Sequence, residues 1–203
     1  MVATTTAAVL VPVKAFARAK QRLSDVRDAD ARRALAMAMA ATVLRASGSM
    51  RTVVVCDDDE VRAWAEGLGS EAVWTPKLGL NGAVEAGVAH LGRRGIERVV
   101  VAHADLPLAT DLTWVADAAG VTLVPDRHGD GTNVMCVPSA AGFRFAYGAG
   151  SFAAHRAEAR RLGLVVRLVP DRRLGWDVDV AADLAVPRDL EPPAYLSPAV
   201  PCP

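Results

Sequence analysis

Four cations fall within nine residues near the start of the chain, at Lys14, Arg18, Lys20 and Arg22. They follow an apolar run, Ala7-Ala8-Val9-Leu10-Val11, that reads as a buried strand. A strand that empties into a basic loop is one way to hold a polyphosphate. Backbone donors and cations then converge at the carboxyl end of a parallel sheet, where ligands of open α/β sheets bind. A solvated loop that happens to be basic is the competing reading of these residues alone.

Asp105 is the first carboxylate of chemical interest. It directly follows the apolar strand Arg98-Val99-Val100-Val101-Ala102, in Ala102-His103-Ala104-Asp105-Leu106-Pro107. At that end of a central strand a carboxylate faces the ligand crevice, where it can hold a divalent cation against phosphate oxygens. The alternative is an N-cap for a helix starting near Pro107; the second acidic cluster downstream favours the metal role. That cluster is Trp176-Asp177-Val178-Asp179-Val180-Ala181-Ala182-Asp183-Leu184. In an extended segment Asp177 and Asp179 share one side. We expect one of them to be a ligand and the other a cap, with Asp177 preferred as the ligand and Asp179 capping a helix from about Ala181.

Three polar turns complete the inventory. Gly129-Asp130-Gly131-Thr132-Asn133 offers freed amides and the Thr132 hydroxyl to a carboxylate or phosphate, although an ordinary hairpin turn is the favoured reading of that stretch on its own. Tyr147-Gly148-Ala149-Gly150-Ser151 leads into a helix, with Ser151 the expected N-cap at an anion-binding helix terminus. His155 lies one turn further in and is expected to be structural. Asn81, in Leu80-Asn81-Gly82-Ala83, opens another helix as a cap or as a contact to a nucleoside.

These residues must be positioned by an alternating chain of strands and helices. Strands are expected at 7–13, 52–56, 71–74, 98–102, 121–125, 133–138 and 164–169. Helices are expected at 29–46, with Leu35, Met39, Val43 and Ala46 inward; at 58–68, with Val61, Trp64, Ala65 and Leu68 inward; at 81–93, with Val84, Val88 and Leu91 inward; at 151–162; and at 180–186. The βαβαβ rhythm of the first half predicts parallel strands with helices on both faces. Residues 1–187 read as one domain, and the proline-rich stretch 188–203 as a loosely attached tail.

Composition limits the partners. Lys plus Arg and Asp plus Glu are 23 each, so the net charge is near zero and any anion site must be local. That argues against general nucleic-acid or membrane-surface binding. Cys56, Cys136 and Cys202 have neither zinc spacing nor a disulfide pattern, which suits a reducing cytoplasm. Residues 1–13 make a poor signal peptide, and no apolar run approaches the roughly 20 residues of a membrane span. The sequence leaves the oligomeric state open, a homodimer included.

Together the motifs resemble the 2-phospho-L-lactate guanylyltransferases, a family that includes the phosphoenolpyruvate guanylyltransferases and acts in biosynthesis of the deazaflavin coenzyme F-420. The matching pieces, in family order, are Val11-Pro12-Val13-Lys14 with Lys20-Gln21-Arg22-Leu23, Leu80-Asn81, Asp105-Leu106-Pro107, Gly131-Thr132, Tyr147-Gly148 with Ser151, and Asp177-Val178-Asp179 with Ala182-Asp183-Leu184. They cover roughly residues 7–186. The resemblance implies a single-domain, nucleotide-diphospho-sugar-transferase-like mixed sheet of Rossmann type. It implies transfer of GMP from GTP to the phosphate of a small phospho-acid with release of pyrophosphate. Asp105 with Asp177 or Asp179 would hold Mg2+, Lys14 and Lys20 would meet the triphosphate, and Thr132, Gly148 and Ser151 would lie against the phospho-acid. The chain departs from the wider superfamily in having no glycine in its first loop. It departs from relatives in Ala104 before the metal aspartate and in Val180-Ala181 where proline is frequent. The rival functions are molybdopterin guanylyl transfer, cytidylyl transfer to a sugar acid, and a non-catalytic nucleotide-binding regulator.

Overall fold

The computed structural model describes residues 6–196. Seven strands form one sheet: β1 (Ala7–Pro12), β2 (Arg51–Cys56), β3 (Glu71–Trp74), β4 (Arg98–Ala102), β5 (Val121–Pro125), β6 (Thr132–Pro138) and β7 (Val166–Leu168). Their spatial order is β3-β2-β1-β4-β6-β5-β7. β1 pairs in parallel with β2 and β4, whereas β6 runs antiparallel to both β4 and β5, so the sheet is mixed. β4 is the central strand, and all five of its residues are buried, as its composition predicts.

Alternate residues of the strands feed two cores. Val9, Val11, Val54 and Val100 face α1 (Ala29–Arg45) and α2 (Asp59–Gly67), while Leu10, Val53, Val55 and Val101 face α3 (Gly79–Gly92) and α4 (Ser151–Arg161). Period-2 strands packed against period-3.6 helices thus give helices on both faces. α1 buries Leu35, Met39 and Val43, and α3 buries Val84, Val88 and Leu91, as expected. Gly87 shows how tightly α3 lies on the sheet: a Cβ there would sit 2.6 Å from a Leu10 methyl and 2.8 Å from a Val55 methyl. Such a contact requires glycine for close helix–strand approach.

Three expectations are corrected. Leu68 is not inward but 53% exposed, because α2 ends at Gly67 and Leu68 caps it with non-helical backbone. The expected helix at 180–186 is a single 3-10 turn, Ala181–Leu184. The stretch after Pro187 is not loosely attached as far as residue 196. Leu190 and Leu196 are buried in a small cluster with Leu23, Leu35, Met39 and Val186, and the Tyr195 hydroxyl bonds Thr42 Oγ1 at 2.9 Å and Pro107 O at 3.3 Å. Apolar side chains spaced along a proline-rich segment suffice to dock it without regular structure. The rest of the predicted tail, and Cys202, lie outside the described residues. Cys56 and Cys136 are buried and free. Among the described residues no helix is long and apolar enough to cross a membrane.

Candidate active site

The basic loop after β1 is built from two 3-10 turns, Phe16–Arg18 and Gln21–Leu23. Phe16 is buried against the edge of Trp64, with ring centroids 5.1 Å apart, and Leu23 is fully buried. These two anchors pin the loop at each end and leave its cations over the carboxyl end of the sheet. There a cleft of about 770 Å³ opens, lined among others by Lys14, Arg18, Lys20, Arg22, Asp105 and Asp179. Its size suits a mononucleotide-scale ligand. Lys14, Arg18 and Arg22 are exposed, and no ion pair to any of them occurs among the described residues. The cleft lining also includes the apolar residues Val55, Cys56, Leu80 and Ala83, with Asp57 and Thr75 among them.

Lys20 behaves differently from its neighbours. Its ammonium donates to Asp105 Oδ2 at 2.6 Å and to Asp179 Oδ1 at 3.0 Å. Burial alone would lower its pKa, but the two carboxylates reverse this and hold it above the ordinary lysine value. Burial likewise pushes the Asp105 carboxyl up, and Lys20, with His103 behind it, brings it below the ordinary range. Asp105 Oδ1 is buried with no hydrogen-bond partner. Asp105 caps no helix: its carbonyl accepts from the Val178 amide at 3.2 Å, which ties the end of β4 to the second acidic segment.

That segment divides its aspartates in an unexpected way. Asp183, 3% exposed, accepts from the Asp179 amide at 2.6 Å and the Val180 amide at 2.7 Å, and pairs with Arg127. The cap expected of Asp179 or Asp177 is therefore Asp183, since a residue at the far end of the turn can reach back to both amides. Asp177 Oδ1 accepts from Asn133 Nδ2 at 3.3 Å, and Arg127 reaches the Asp177 carbonyl at 2.9 Å. Burial, then the nearby Asp105 charge, raises the Asp177 carboxyl's pKa. Asp179 is the member that meets Asp105 across Lys20. Arg127, Asn133 and Asp183 were not singled out from sequence. The signal was an acidic segment with three aspartates and a polar loop holding one arginine, but nothing local pairs the two.

The polar turns are occupied by their own partners. Asp126 accepts from the amides of His128, Asp130 and Gly131 at 3.0, 3.0 and 2.8 Å, so the Gly129–Asn133 stretch is a self-satisfied hairpin turn. At the start of α4 the N-cap is Gly150, with φ 71°, and Ser151 is the first helical residue, not the expected cap. Asp130 takes up that helix start, its carboxylate accepting from the Gly150 amide at 3.1 Å and its carbonyl from Phe152. Thr132 is buried, its hydroxyl 3.0 Å from His155 Nδ1, while His155 Nε2 accepts from the Ala146 amide at 3.0 Å. The acceptor role fixes His155 as a neutral ring, and burial lowers its pKa to about 4. Asn81 lies within the first turn of α3 and is no cap; its Oδ1 accepts from the Tyr147 amide at 2.7 Å. Tyr147 packs against His103 with ring centroids 4.8 Å apart and the rings tilted by 54°, which sets the exposed Gly148 beside the end of β4. Lys14, Lys20, Asp105 and Asp179 are thus brought together in the cleft, whereas Asp177 lies behind it and Asn81, Thr132, Gly148 and Ser151 gather around the Tyr147 loop.

A mixed sheet of this order, with a cationic loop after its first strand and two carboxylates at its carboxyl end, defines a nucleotidyltransferase-like α/β fold. It is shared with a putative nucleotide-diphospho-sugar transferase from Desulfovibrio desulfuricans G20, at TM-score 0.72 and 18% identity over 89% of this chain and 85% of that one. It is shared also with a nucleotidyl transferase from Methanothermobacter, at TM-score 0.62 and 14% identity, covering 89% and 94%. Residues 7–186 match the family described as guanylyl transferase, CofC-like, and the chain belongs to that family. The phosphoenolpyruvate guanylyltransferase of Sphaerobacter thermophilus is 37% identical over 86% of this chain and 89% of its own length. That of Conexibacter woesei is 38% identical, covering 89% and 86%. The 2-phospho-L-lactate guanylyltransferase of Halorubrum lacusprofundi is 38% identical, covering 83% and 78%. The chain is accordingly an enzyme, a nucleotidyltransferase of the guanylyl-transferring kind.

Proposed function

We propose that the enzyme transfers GMP from GTP to the phosphate of a small phospho-acid and releases pyrophosphate, as a step in coenzyme F-420 biosynthesis in the cytoplasm. The observation that carries this reading is the convergence of Lys20, Asp105 and Asp179 in a cleft whose other cations, Lys14, Arg18 and Arg22, have no carboxylate partner among the described residues. An acceptor phosphate is already ionised at neutral pH, so the reaction needs no strong general base. An acceptor oxygen attacks the α-phosphorus, the bond to the bridging β-oxygen breaks, and pyrophosphate carries away the electron pair. The work lies in bringing two anions together and balancing charge at the α-phosphate. The free cations of the first loop suit the triphosphate. The apolar part of the lining suits the nucleoside.

A divalent cation fits Asp105 and Asp179. Both offer hard oxygen donors to one point, and Asp105 Oδ1 is buried without a partner. No group of three or more His, Cys, Asp or Glu that could hold a metal occurs among the described residues, so the remaining ligands would be phosphate oxygens and water, as is usual for Mg2+. Bound there, Mg2+ supplies charge neutralisation at the transferring phosphoryl group. Asp177, fixed by Asn133 and Arg127, orients the loop from behind. On the acceptor side we retain Thr132, Gly148 and Ser151 from the family resemblance; Gly148 is the one of the three open to solvent. Phosphoenolpyruvate is our first choice of acceptor, because the Sphaerobacter and Conexibacter relatives carry that name. The test is mass spectrometry of products after incubation with GTP, Mg2+ and an equimolar mixture of phosphoenolpyruvate, 2-phospho-L-lactate and 3-phosphoglycerate. The guanylylated phosphoenolpyruvate should dominate. Another product dominating would replace the acceptor, and no guanylylated product with any of the three would overturn the reaction.

A further inference from the structure

Lys20 sits where two carboxylates converge, and the fold strains its backbone to put it there. Its conformation is left-handed, φ 51° and ψ 41°. For a residue other than glycine that is unfavourable by about 1 kcal/mol or more and persists only where the surroundings enforce it. The enforcement comes from Phe16 and Leu23, buried on either side. The two partners lie 85 and 159 residues away in the chain, so Lys20 joins three separate segments. Its side chain is 11% exposed, whereas Lys14 in the same loop is open to solvent.

Two carboxylates that reach one point repel each other unless a cation lies between them. A lysine supplies that charge but leaves capacity unused: Asp105 Oδ1 stays buried without a partner. We propose that Lys20 is the resident cation of this pair. In the free protein it holds Asp105 and Asp179 together and keeps divalent metal out. It yields its place when metal arrives with a nucleotide, whose triphosphate then takes the lysine's ammonium. An ammonium and a divalent ion cannot occupy the same point, and only an incoming polyanion gives both cations a partner. Uptake of metal is thereby tied to uptake of nucleotide, and the free enzyme does not waste its site on metal alone. This inference rests on the reading of Asp105 and Asp179 as the metal-holding pair.

The test is Mn2+ binding to nucleotide-free protein, followed by the electron paramagnetic resonance signal of free Mn2+. Lys20→Met removes the competing charge and should bind Mn2+ at least about tenfold more tightly than the unaltered protein. Lys20→Met combined with Asp105→Asn should lose that gain. Mn2+ should also raise the melting temperature of Lys20→Met more than that of the unaltered chain. If Lys20→Met is insoluble, Lys20→Gln makes the same comparison with an uncharged side chain. Equal or weaker Mn2+ binding by the neutral variant overturns the proposal. A gain in Mn2+ affinity by Lys20→Met, together with no guanylylated product from the unaltered protein, would leave it standing while removing the proposed reaction. Product formation with no gain would remove this inference alone.

Discussion

Replacing Asp183 by alanine probes how the acidic segment is built, because this residue takes the place that sequence reasoning gives to its neighbours. The carboxylate accepts from two amides, at 2.6 and 2.7 Å, and pairs with Arg127. A hydrogen bond to a charged group contributes about 1.5–3 kcal/mol. The amides belong to Asp179 and Val180, both exposed, so water replaces much of what they lose. Arg127 loses a buried carboxylate but keeps the Asp177 carbonyl and the face of Trp176, 4.5 Å from its guanidinium carbon. The full penalty for breaking a buried pair, about 3–5 kcal/mol, is therefore an upper bound, and about 3 kcal/mol is the expected loss. For a chain of this size that lowers the melting temperature by about 6–12 °C. Asp183→Asn keeps an acceptor for the amides and should recover about half of it. Turnover should fall most in Asp183→Ala, because there Asp179 loses the acceptor on its own amide. Thermal melts of the three proteins at pH 7 read the first effect and guanylyl transfer the second. If Asp183→Ala melts within about 2 °C of the unaltered protein, the carboxylate does not organise the segment and the argument fails.

Three further outcomes are expected. Lys14→Ala should raise the KM for GTP severalfold and leave that for the phospho-acid nearly unchanged, since Lys14 is exposed in the cleft proposed to hold the nucleotide; steady-state kinetics varying each substrate decides, and an effect confined to the acceptor would move Lys14 to the other half of the site. His155 has a pKa lowered to about 4 by burial, against roughly 6.5 unfolded, so the stability it contributes is complete above about pH 6.5 and lost as pH falls toward 4. His155→Gln should flatten the decline between pH 7 and 5 by about 2 kcal/mol in urea unfolding, and an unchanged slope would refute the buried neutral ring. Truncation after Pro187 removes the buried Leu190 and Leu196 and should destabilise by about 3–5 kcal/mol, read as the urea midpoint; an unchanged midpoint would mean the segment does not stay docked.

Much of the fold is legible because its signals are local. The valine runs of β2 and β4 and the apolar faces of α1 and α3 predict burial residue by residue. The cationic loop and Asp105 are likewise visible, since a strand's end marks where its next residues point. What the sequence hides are pairings across distance. Nothing near Lys20 says that it closes on Asp105 and Asp179, and nothing near Asp183 says that it binds Arg127. The helix start at Ser151 looks like an anion site until Asp130, from another loop, is seen to fill it. Leu68 was misplaced because periodicity continues past the point at which the backbone leaves the helix. The docking of Leu190 and Leu196 is invisible because a proline-rich segment shows no period, and only the distant apolar cluster around Leu23, Leu35 and Met39 gives its leucines a destination.

The separation between Lys20 and its partners has a consequence for synthesis. The ribosome delivers β1 and its basic loop well before the strand that flanks β1 on the far side, because β4 begins 86 residues after the last residue of β1. β1, α1 and β2 can associate early through short connections, because local contacts close small loops at low entropic cost. The contact between Lys20 and Asp179 spans 159 residues, and must wait for nearly the whole described chain to emerge. A nascent chain therefore carries an exposed basic loop with no carboxylates to close it. The two acidic segments arrive separately, Asp105 just after β4 and Asp179 only after the last strand, β7. Activity should appear abruptly and only once Asp179 has emerged, after most of the sheet has become resistant to protease.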